Sequence, residues 1–200
     1  MSIQRGENPL ADALQSCQAY EDDAGGDSWG YAVPTAEGLL INHGMGEIPP
    51  DAGQIDVTHD IALGHTRNAT RGEVKIENAH PFPVVNADDE LVAALAHNGT
   101  WDDAPETEHR CDSYYIARLL ERTLRERPHD SFEEALRRTG ETVGETLVVI
   151  HRDGRAWAYA GRREITHEQN GRVVMSTGGT RIPEGELFEL SGRERSMTPQ

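Results

Sequence analysis

The sequence predicts a single domain of the α+β class. Short strand-like runs stand before and after a block of two amphipathic helices, and the turns between the strands have the composition of antiparallel connections. The chain's 200 residues are enough for one domain with a sizeable core. Because no internal repeat, low-complexity segment or linker divides the chain, we expect one domain over 1–191, followed by a polar tail at 192–200.

The first predicted element is a helix that begins at Pro9. Asn8 is a good N-cap residue, and proline suits the first helical position because its missing N–H is not needed there. Apolar residues then recur with helical spacing at Leu10, Ala13, Leu14 and Cys17. A glycine-rich acidic loop at 22–27 is expected to end this helix.

Strands are expected on both sides of the helical block. Four apolar runs precede it, at 29–33, 39–42, 61–65 and 91–97. After it, two runs flank Asp153-Gly154, a dipeptide that favours a tight hairpin. The runs of this second group lie at 146–151, 156–160, 172–176 and 186–190.

The helical block has clear boundary signals. One helix is predicted over 114–125, with Pro128 just past its end. The next begins at Ser131, which stands three residues before Glu134, and this is the spacing of a capping box.

The charge of the chain is strongly unbalanced. There are 35 acidic against 19 basic residues, a formal net charge of −16. Such a polyanion repels nucleic acids and anionic membranes, so partners of both kinds are excluded. The acids are dispersed along the chain, which we interpret as adaptation to high salt, where ions screen the self-repulsion. The alternative is simply an acidic mesophilic protein.

The two cysteines, Cys17 and Cys111, form no disulfide framework, and neither has metal-ligand spacing. The sequence therefore predicts no metal and no cofactor. The start of the chain lacks a basic segment followed by an apolar core, and no apolar run approaches membrane-spanning length. We expect no signal peptide, and a location in the cytoplasm or inside a virus particle.

Four short motifs carry the functional information. They are GHTRNAT at 64–70, NAHPF at 78–82, AHNG at 96–99 and CDS at 111–113. Their order and spacing resemble the class II glutamine amidotransferases, and DSWG at 27–30 also matches that family's Asp-Ser-x-Gly. The resemblance implies a four-layer αββα sandwich of antiparallel sheets, the Ntn-hydrolase type. It also implies glutamine as the ligand.

The resemblance assigns the residues that bind the substrate. Arg67 matches the arginine that clamps the glutamine carboxylate, a task that suits the guanidinium fork. Asp112 matches the acid that receives the substrate ammonium, and Thr70 and His80 match positions that line the pocket. Outside this pattern, an aspartate at a helix start is explained by the helix dipole alone.

The resemblance also assigns the donors for the reaction's oxyanion. Asn98 would contribute its side-chain amide and Gly99 its backbone N–H. An isolated Asn-Gly is more often a hairpin turn, and isolated histidines such as His65, His80 and His97 are usually structural. The joint order of the motifs therefore carries this assignment.

The pattern breaks at the nucleophile. The family begins Met-Cys-Gly-Ile and loses the methionine, which exposes the cysteine thiol together with its amine; this chain begins Met1-Ser2-Ile3. The family's usual Arg-Gly before Asp-Ser is here AGG at 24–26, and Asn68 replaces an aromatic residue.

Two hypotheses follow for function. In the first, the domain is catalytically degenerate and serves as a glutamine-binding or structural module, within a larger assembly or virus particle. In the second, Ser2 is an active N-terminal nucleophile, and the enzyme supplies ammonia to a synthetase on another chain. A related Ntn peptidase is disfavoured, because Arg67 with Asp112 suits a free amino acid.

Overall fold

The computed structural model describes residues 1–24, 26–105, 107–167, 173–174 and 180–191. Three helices are present in these residues: α1 (Pro9–Ala24), α2 (Asp112–Glu126) and α3 (Phe132–Val143). A short 3-10 turn covers Ile76–Asn78. Within the same residues, no helix combines the length and the apolar character needed to cross a membrane.

The strands of the described residues form two antiparallel sheets. The first has the order β11-β9-β10-β1-β4-β2-β3, and the second has the order β12-β8-β7-β6-β5. The strands are β1 (Ser2–Arg5), β2 (Ser28–Thr35), β3 (Gly38–Met45), β4 (Ile61–Arg67), β5 (Phe82–Val85), β6 (Leu91–Asn98), β7 (Thr146–His151), β8 (Arg155–Tyr159), β9 (Thr166–His167), β10 (Val173–Val174), β11 (Thr180–Arg181) and β12 (Leu187–Ser191).

Three apolar clusters hold four layers together. The α1 stripe of Leu10, Ala13, Leu14 and Cys17 packs on the outer face of the first sheet. The inner faces of the two sheets enclose a second cluster, which includes Ile3 and Val148. The outer face of the second sheet packs against α2 and α3. The layer order is therefore α1, sheet, sheet, α2–α3, and the predicted αββα sandwich is confirmed.

Strand β6 shows why this architecture suits its sequence. Ala94 and Ala96 belong to the cluster between the sheets, whereas Ala93 and Leu95 belong to the cluster under α2 and α3. Successive side chains of a strand point to opposite faces, so a strand covered on both faces is continuously apolar. This explains why the run at 91–97 is apolar throughout and does not alternate between apolar and polar residues.

The predicted elements are largely present, with differences at their ends. Helix α1 begins at Pro9 but continues to Ala24, into the predicted loop, and stops before the glycine pair at 25–26. Glycine has low helix propensity, which accounts for the later end. Position 25 lies outside the described residues, as do 172, 175 and 176 of one predicted strand and the predicted tail at 192–200.

Candidate functional site

Six of the predicted site residues line one cavity of about 340 Å³. They come from the end of β4 and the loop after it, the segment before β5, the end of β6 and the start of α2. The fold thus brings together Arg67, Thr70, His80, Asn98, Gly99 and Asp112.

Arg67 is the last residue of β4 and is 5% exposed. Its Nη2 donates to the Arg71 carbonyl oxygen at 2.5 Å, whereas its buried Nη1 has no partner among the described residues. A buried, unpaired guanidinium nitrogen is costly, so this corner of the cavity requires an acceptor such as a carboxylate. Asp27 holds the loop that follows Arg67, because its Oδ2 accepts the Ala69 N–H at 2.7 Å.

Asp112 opens helix α2 and faces the same cavity. Its Oδ1 accepts the Ser113 N–H and its Oδ2 accepts the Trp101 N–H, each at 2.9 Å. A carboxylate has about four lone-pair positions, so capacity remains for a ligand ammonium. Arg71 lies beside it, donating to the Trp101 carbonyl at 3.1 Å and pairing with Asp102 at 3.2 Å.

Asn78 connects the segments around the start of α2. It is fully buried, and its Nδ2 donates to the carbonyl oxygens of Glu73 at 2.9 Å and His109 at 3.0 Å. Its Oδ1 accepts the Cys111 N–H at 3.1 Å. Because Cys111 directly precedes Asp112, this amide fixes the position of the carboxylate.

Three buried histidines surround the cavity. The rings of His65 and His80 stack at 4.1 Å, and His97 Nδ1 lies 2.9 Å from the Ser113 hydroxyl. Burial lowers the pKa of His65 and His80 well below the ordinary value, and it lowers the pKa of His97 to about 4. All three are therefore neutral near pH 7, and the positive charge at the cavity comes from arginines and from the α-amino group of Met1, whose charge also lowers the pKa of His65.

The Asn98-Gly99 pair ends strand β6 at the cavity. Gly99 has φ +134°, and a Cβ built there would lie 2.1 Å from Glu145 Oε2. The positive φ and the lack of space both exclude a side chain, so Gly99 lines the cavity with its backbone.

Ser2 does not line this cavity. It is 3% exposed, and its Oγ accepts from Gln4 Nε2 at 2.7 Å; the same nitrogen donates to Ser16 of α1 at 3.0 Å. Ser2 pairs with Gly64, and a Cβ added at Gly64 would lie against Ala13 of α1. Directly opposed residues share a face, so the Ser2 side chain points toward α1.

Met1, which directly precedes β1, reaches the cavity. It lines the cavity and packs against the apolar cluster between the sheets, on the same side as Ile3. Side chains alternate along an extended strand, which places residues 1 and 3 on one face and Ser2 on the other.

Sequence reasoning gave no binding role to several residues that line the cavity. Met1, Arg71, Ser113 and Arg163 all border the cavity. Arg71 and Ser113 directly follow predicted site residues, so the motifs themselves contained a signal for them. Arg163 lies in no motif, and nothing local in the sequence marks it.

Comparison with known proteins identifies the family. The family described as glutamine amidotransferases class-II matches residues 53–155. A glutamine--fructose-6-phosphate aminotransferase [isomerizing] of Thermus thermophilus is 33% identical over 143 residues, covering 64% of this chain and 23% of that protein. Its counterpart in Thermococcus kodakarensis is 28% identical over 183 residues, covering 84% and 28%. The chain thus spans about a quarter of the length of these relatives.

Solved structures share the fold. The glutamine phosphoribosylpyrophosphate amidotransferase of B. subtilis, complexed with ADP and GMP, superposes with a TM-score of 0.71 at 18% identity. The match covers 98% of this chain and 49% of that one. At this identity the likeness shows the fold alone, and it confirms the expected Ntn-hydrolase-like sandwich.

Proposed function

The chain belongs to the class II glutamine amidotransferases, and from that premise we propose that it binds glutamine without hydrolysing it. In this proposal the domain is a binding or structural module. The observation that carries it is the orientation of the first strand, which directs Met1 into the cavity and the Ser2 hydroxyl away from it.

Retained binding is supported by the two charged groups at the start of α2 and the end of β4. The unpaired Nη1 of Arg67 suits the α-carboxylate of an amino acid, and the free lone pairs of Asp112 suit its α-ammonium. Asn98 and Gly99 border the same cavity and would meet the side-chain amide. This division of roles is the one that the sequence motifs predict.

Loss of hydrolysis is supported by the chemistry of the residue that faces the cavity. Amide hydrolysis by this family's route needs a nucleophile with a base beside it. The Met1 thioether carries no proton to lose and is a poor nucleophile toward an amide. Removing Met1 would transfer the α-amine to Ser2, but the hydroxyl would still lie on the α1 side of the sheet, held by Gln4.

The thiol that borders the cavity does not replace the missing nucleophile. Cys111 is 2% exposed, and its Sγ lies 4.0 Å from the Asn78 carbonyl oxygen. Burial raises the pKa of this thiol, which keeps it protonated at neutral pH. Because the thiolate is the reactive form, Cys111 is inert toward an amide.

The relatives that the chain matches are aminotransferases that use glutamine by name, and this bears on its partner. We propose that the domain acts together with a synthetase or, as the alternative, within a structural assembly. The charge of −16 disfavours a nucleic-acid partner.

The test is calorimetric titration with L-glutamine alongside a measurement of ammonia release. We expect saturable binding of one glutamine per chain, no binding of D-glutamine, and no ammonia above the protein-free rate. Arg67→Lys should weaken binding about tenfold, because lysine cannot form two parallel hydrogen bonds to a carboxylate. Arg122→Lys, on the exposed side of α2, is the matched control and should bind normally.

One result would overturn the proposal in favour of the enzyme hypothesis. That result is ammonia release from glutamine that Ser2→Ala abolishes.

A further inference from the structure

We propose that the cavity prefers glutamate to glutamine, and that Arg163 sets this preference. The inference rests on the proposed binding of an amino acid and concerns the other end of the ligand, its side-chain terminus. The proposed ligand carries a second carboxylate at the position where the family motifs predict an amide.

The charges that line the cavity do not match glutamine. Arg71 is paired with Asp102. Arg67 and Arg163 also line the cavity, and neither forms an ion pair with a carboxylate in the described part of the chain. With the histidines neutral, Arg67, Arg163 and the α-amino group of Met1 carry positive charge at the cavity, whereas Asp112 is the one acid among its described lining residues. Glutamine has one carboxylate and one ammonium, whereas glutamate adds a second carboxylate, which this excess of positive charge attracts.

Contacts place Arg163 beside Asn98 and Gly99. The Thr146 hydroxyl donates to the Arg163 carbonyl oxygen at 2.6 Å, and Thr146 is the ladder partner of Asn98. Glu145, the neighbour of Thr146, stands against Gly99, and the charge of Arg163 acts on its carboxyl group. Arg163 therefore lies at the end of the β6–β7 pair.

The residues proposed to bind the α-carboxylate and α-ammonium of the ligand are joined to one another by hydrogen bonds. Arg67 donates to the Arg71 carbonyl, and Arg71 donates to the Trp101 carbonyl. The Trp101 N–H in turn donates to Asp112. An amino acid held there by its carboxylate and ammonium directs its side chain toward Asn98, Gly99 and Arg163.

Hydrogen-bonding capacity distinguishes the two ligands at this end. A guanidinium has five N–H donors and no acceptor, so it satisfies both oxygens of a carboxylate. The NH₂ group of a glutamine amide is itself a donor and finds no acceptor in Arg163. The nearby Glu145 does not serve as that acceptor, because it pairs with Arg162 and stands behind Gly99.

The test compares L-glutamate and L-glutamine by calorimetric titration of the whole chain. We expect glutamate to bind about tenfold more tightly, a factor typical of one partly exposed charged contact. Since Arg163 is exposed, the preference should shrink as salt is raised.

Variants of Arg163 test whether this residue causes the preference for glutamate. Arg163→Gln should weaken glutamate binding about tenfold and change glutamine binding less than about twofold, because only the second carboxylate loses its partner. Arg163→Lys should keep most of the preference, since the charge remains. Arg122→Gln makes the same change of net charge on the exposed side of α2 and should leave both affinities unaltered.

The outcomes separate this inference from the proposed function. Equal or tighter binding of glutamine, or an Arg163→Gln variant that weakens both ligands alike, would overturn the preference and leave amino-acid binding intact. Binding of neither ligand would overturn the proposed function, and the preference with it.

Discussion

Met1 and Ser2 are neighbours in sequence but face different layers of the molecule. The Ser2 hydroxyl is part of a hydrogen-bonded row with Gln4 and Ser16 under α1. Met1 projects between the sheets and reaches the cavity. At the scale of single residues, the proposed lack of a nucleophile at the cavity is therefore a matter of side-chain direction as well as residue type.

The buried histidines predict sensitivity to acid. In the unfolded chain a histidine takes up its proton near pH 6.5, whereas burial lowers the pKa of His97 to about 4 in the folded protein. Between these values the unfolded state binds more protons, so the free energy of unfolding falls as pH falls. We expect His97 alone to remove about 3 kcal/mol between pH 7.5 and pH 4, measured by urea denaturation.

Two glutamine substitutions serve as variant and control for this effect. His97→Gln should reduce the pH dependence over this range, with the remainder due to His65 and His80, and His129→Gln, at an exposed position, should leave it unchanged. A free energy of unfolding that stays constant from pH 7.5 to pH 4 would contradict the assignment of neutral buried histidines.

The sequence predicts the cavity residues well because they occur in motifs of fixed order. Arg67, Asn98 and Asp112 each belong to such a motif, and the structure brings them together. The direction of Ser2 was not predictable, since β1 has four residues and only Ile3 is strongly apolar. Its orientation depends on pairing with β4, which no local pattern encodes.

At the scale of elements, the start of α2 depends on a residue outside the helix. Asn78 joins the loop at Glu73, the loop at His109 and the Cys111 N–H through one buried amide. The helix thereby presents Asp112 to the cavity in a defined position.

Asn78→Ala is expected to lower both stability and affinity. The variant leaves buried backbone groups without partners, which should reduce the free energy of unfolding by about 3 kcal/mol. Because Asp112 would shift, glutamine binding should weaken as well. Chemical denaturation and calorimetric titration measure the two effects.

Ser131→Ala is the matched control for Asn78→Ala. It removes the capping box of α3, far along the chain from the cavity residues, and should lower the free energy of unfolding by about 1 kcal/mol. Its affinity for glutamine should be unchanged. Normal glutamine binding by Asn78→Ala would show that Asn78 does not position the carboxylate.

Local signals predict some elements of the fold and not others. The Ser131–Glu134 capping box is present as expected, because a cap is encoded within four residues. Strand β5 was not predicted, since Pro81 and Pro83 argue against a strand; it lies at the edge of its sheet, where a missing N–H is tolerated. The two-residue strands β9 and β11 were not predicted and form through pairing, whereas β10 lies within the predicted run at 172–176.

At the scale of the whole molecule, the negative charge is unevenly distributed. Residues 1–66 contain eleven acids and one base, Arg5, and they form α1 and strands β1–β4 apart from the end of β4. The α1 side of the sandwich is therefore the more acidic. Salt bridges in the α2–α3 layer, such as Arg118–Glu121 and Arg138–Asp130, balance charges there.

This distribution predicts stabilisation by salt. Ions reduce the repulsion among exposed acids, so the melting temperature should rise by about 5 °C or more between 0.1 M and 2 M KCl. Neutralising Glu47, Asp51 and Asp56, which are exposed, should reduce that rise. A melting temperature that does not change with KCl would contradict the interpretation of the charge as adaptation to high salt.

Ammonia release by two cysteine variants tests the central claim most directly. In one, Met1→Cys is made N-terminal by cleaving a leading tag; in the other, Ser2→Cys is made N-terminal in the same way, without Met1. Since residue 1 faces the cavity and residue 2 faces α1, we expect the first to release ammonia from glutamine and the second to be inactive. Activity in the Ser2→Cys protein, with none in the Met1→Cys protein, would contradict the account.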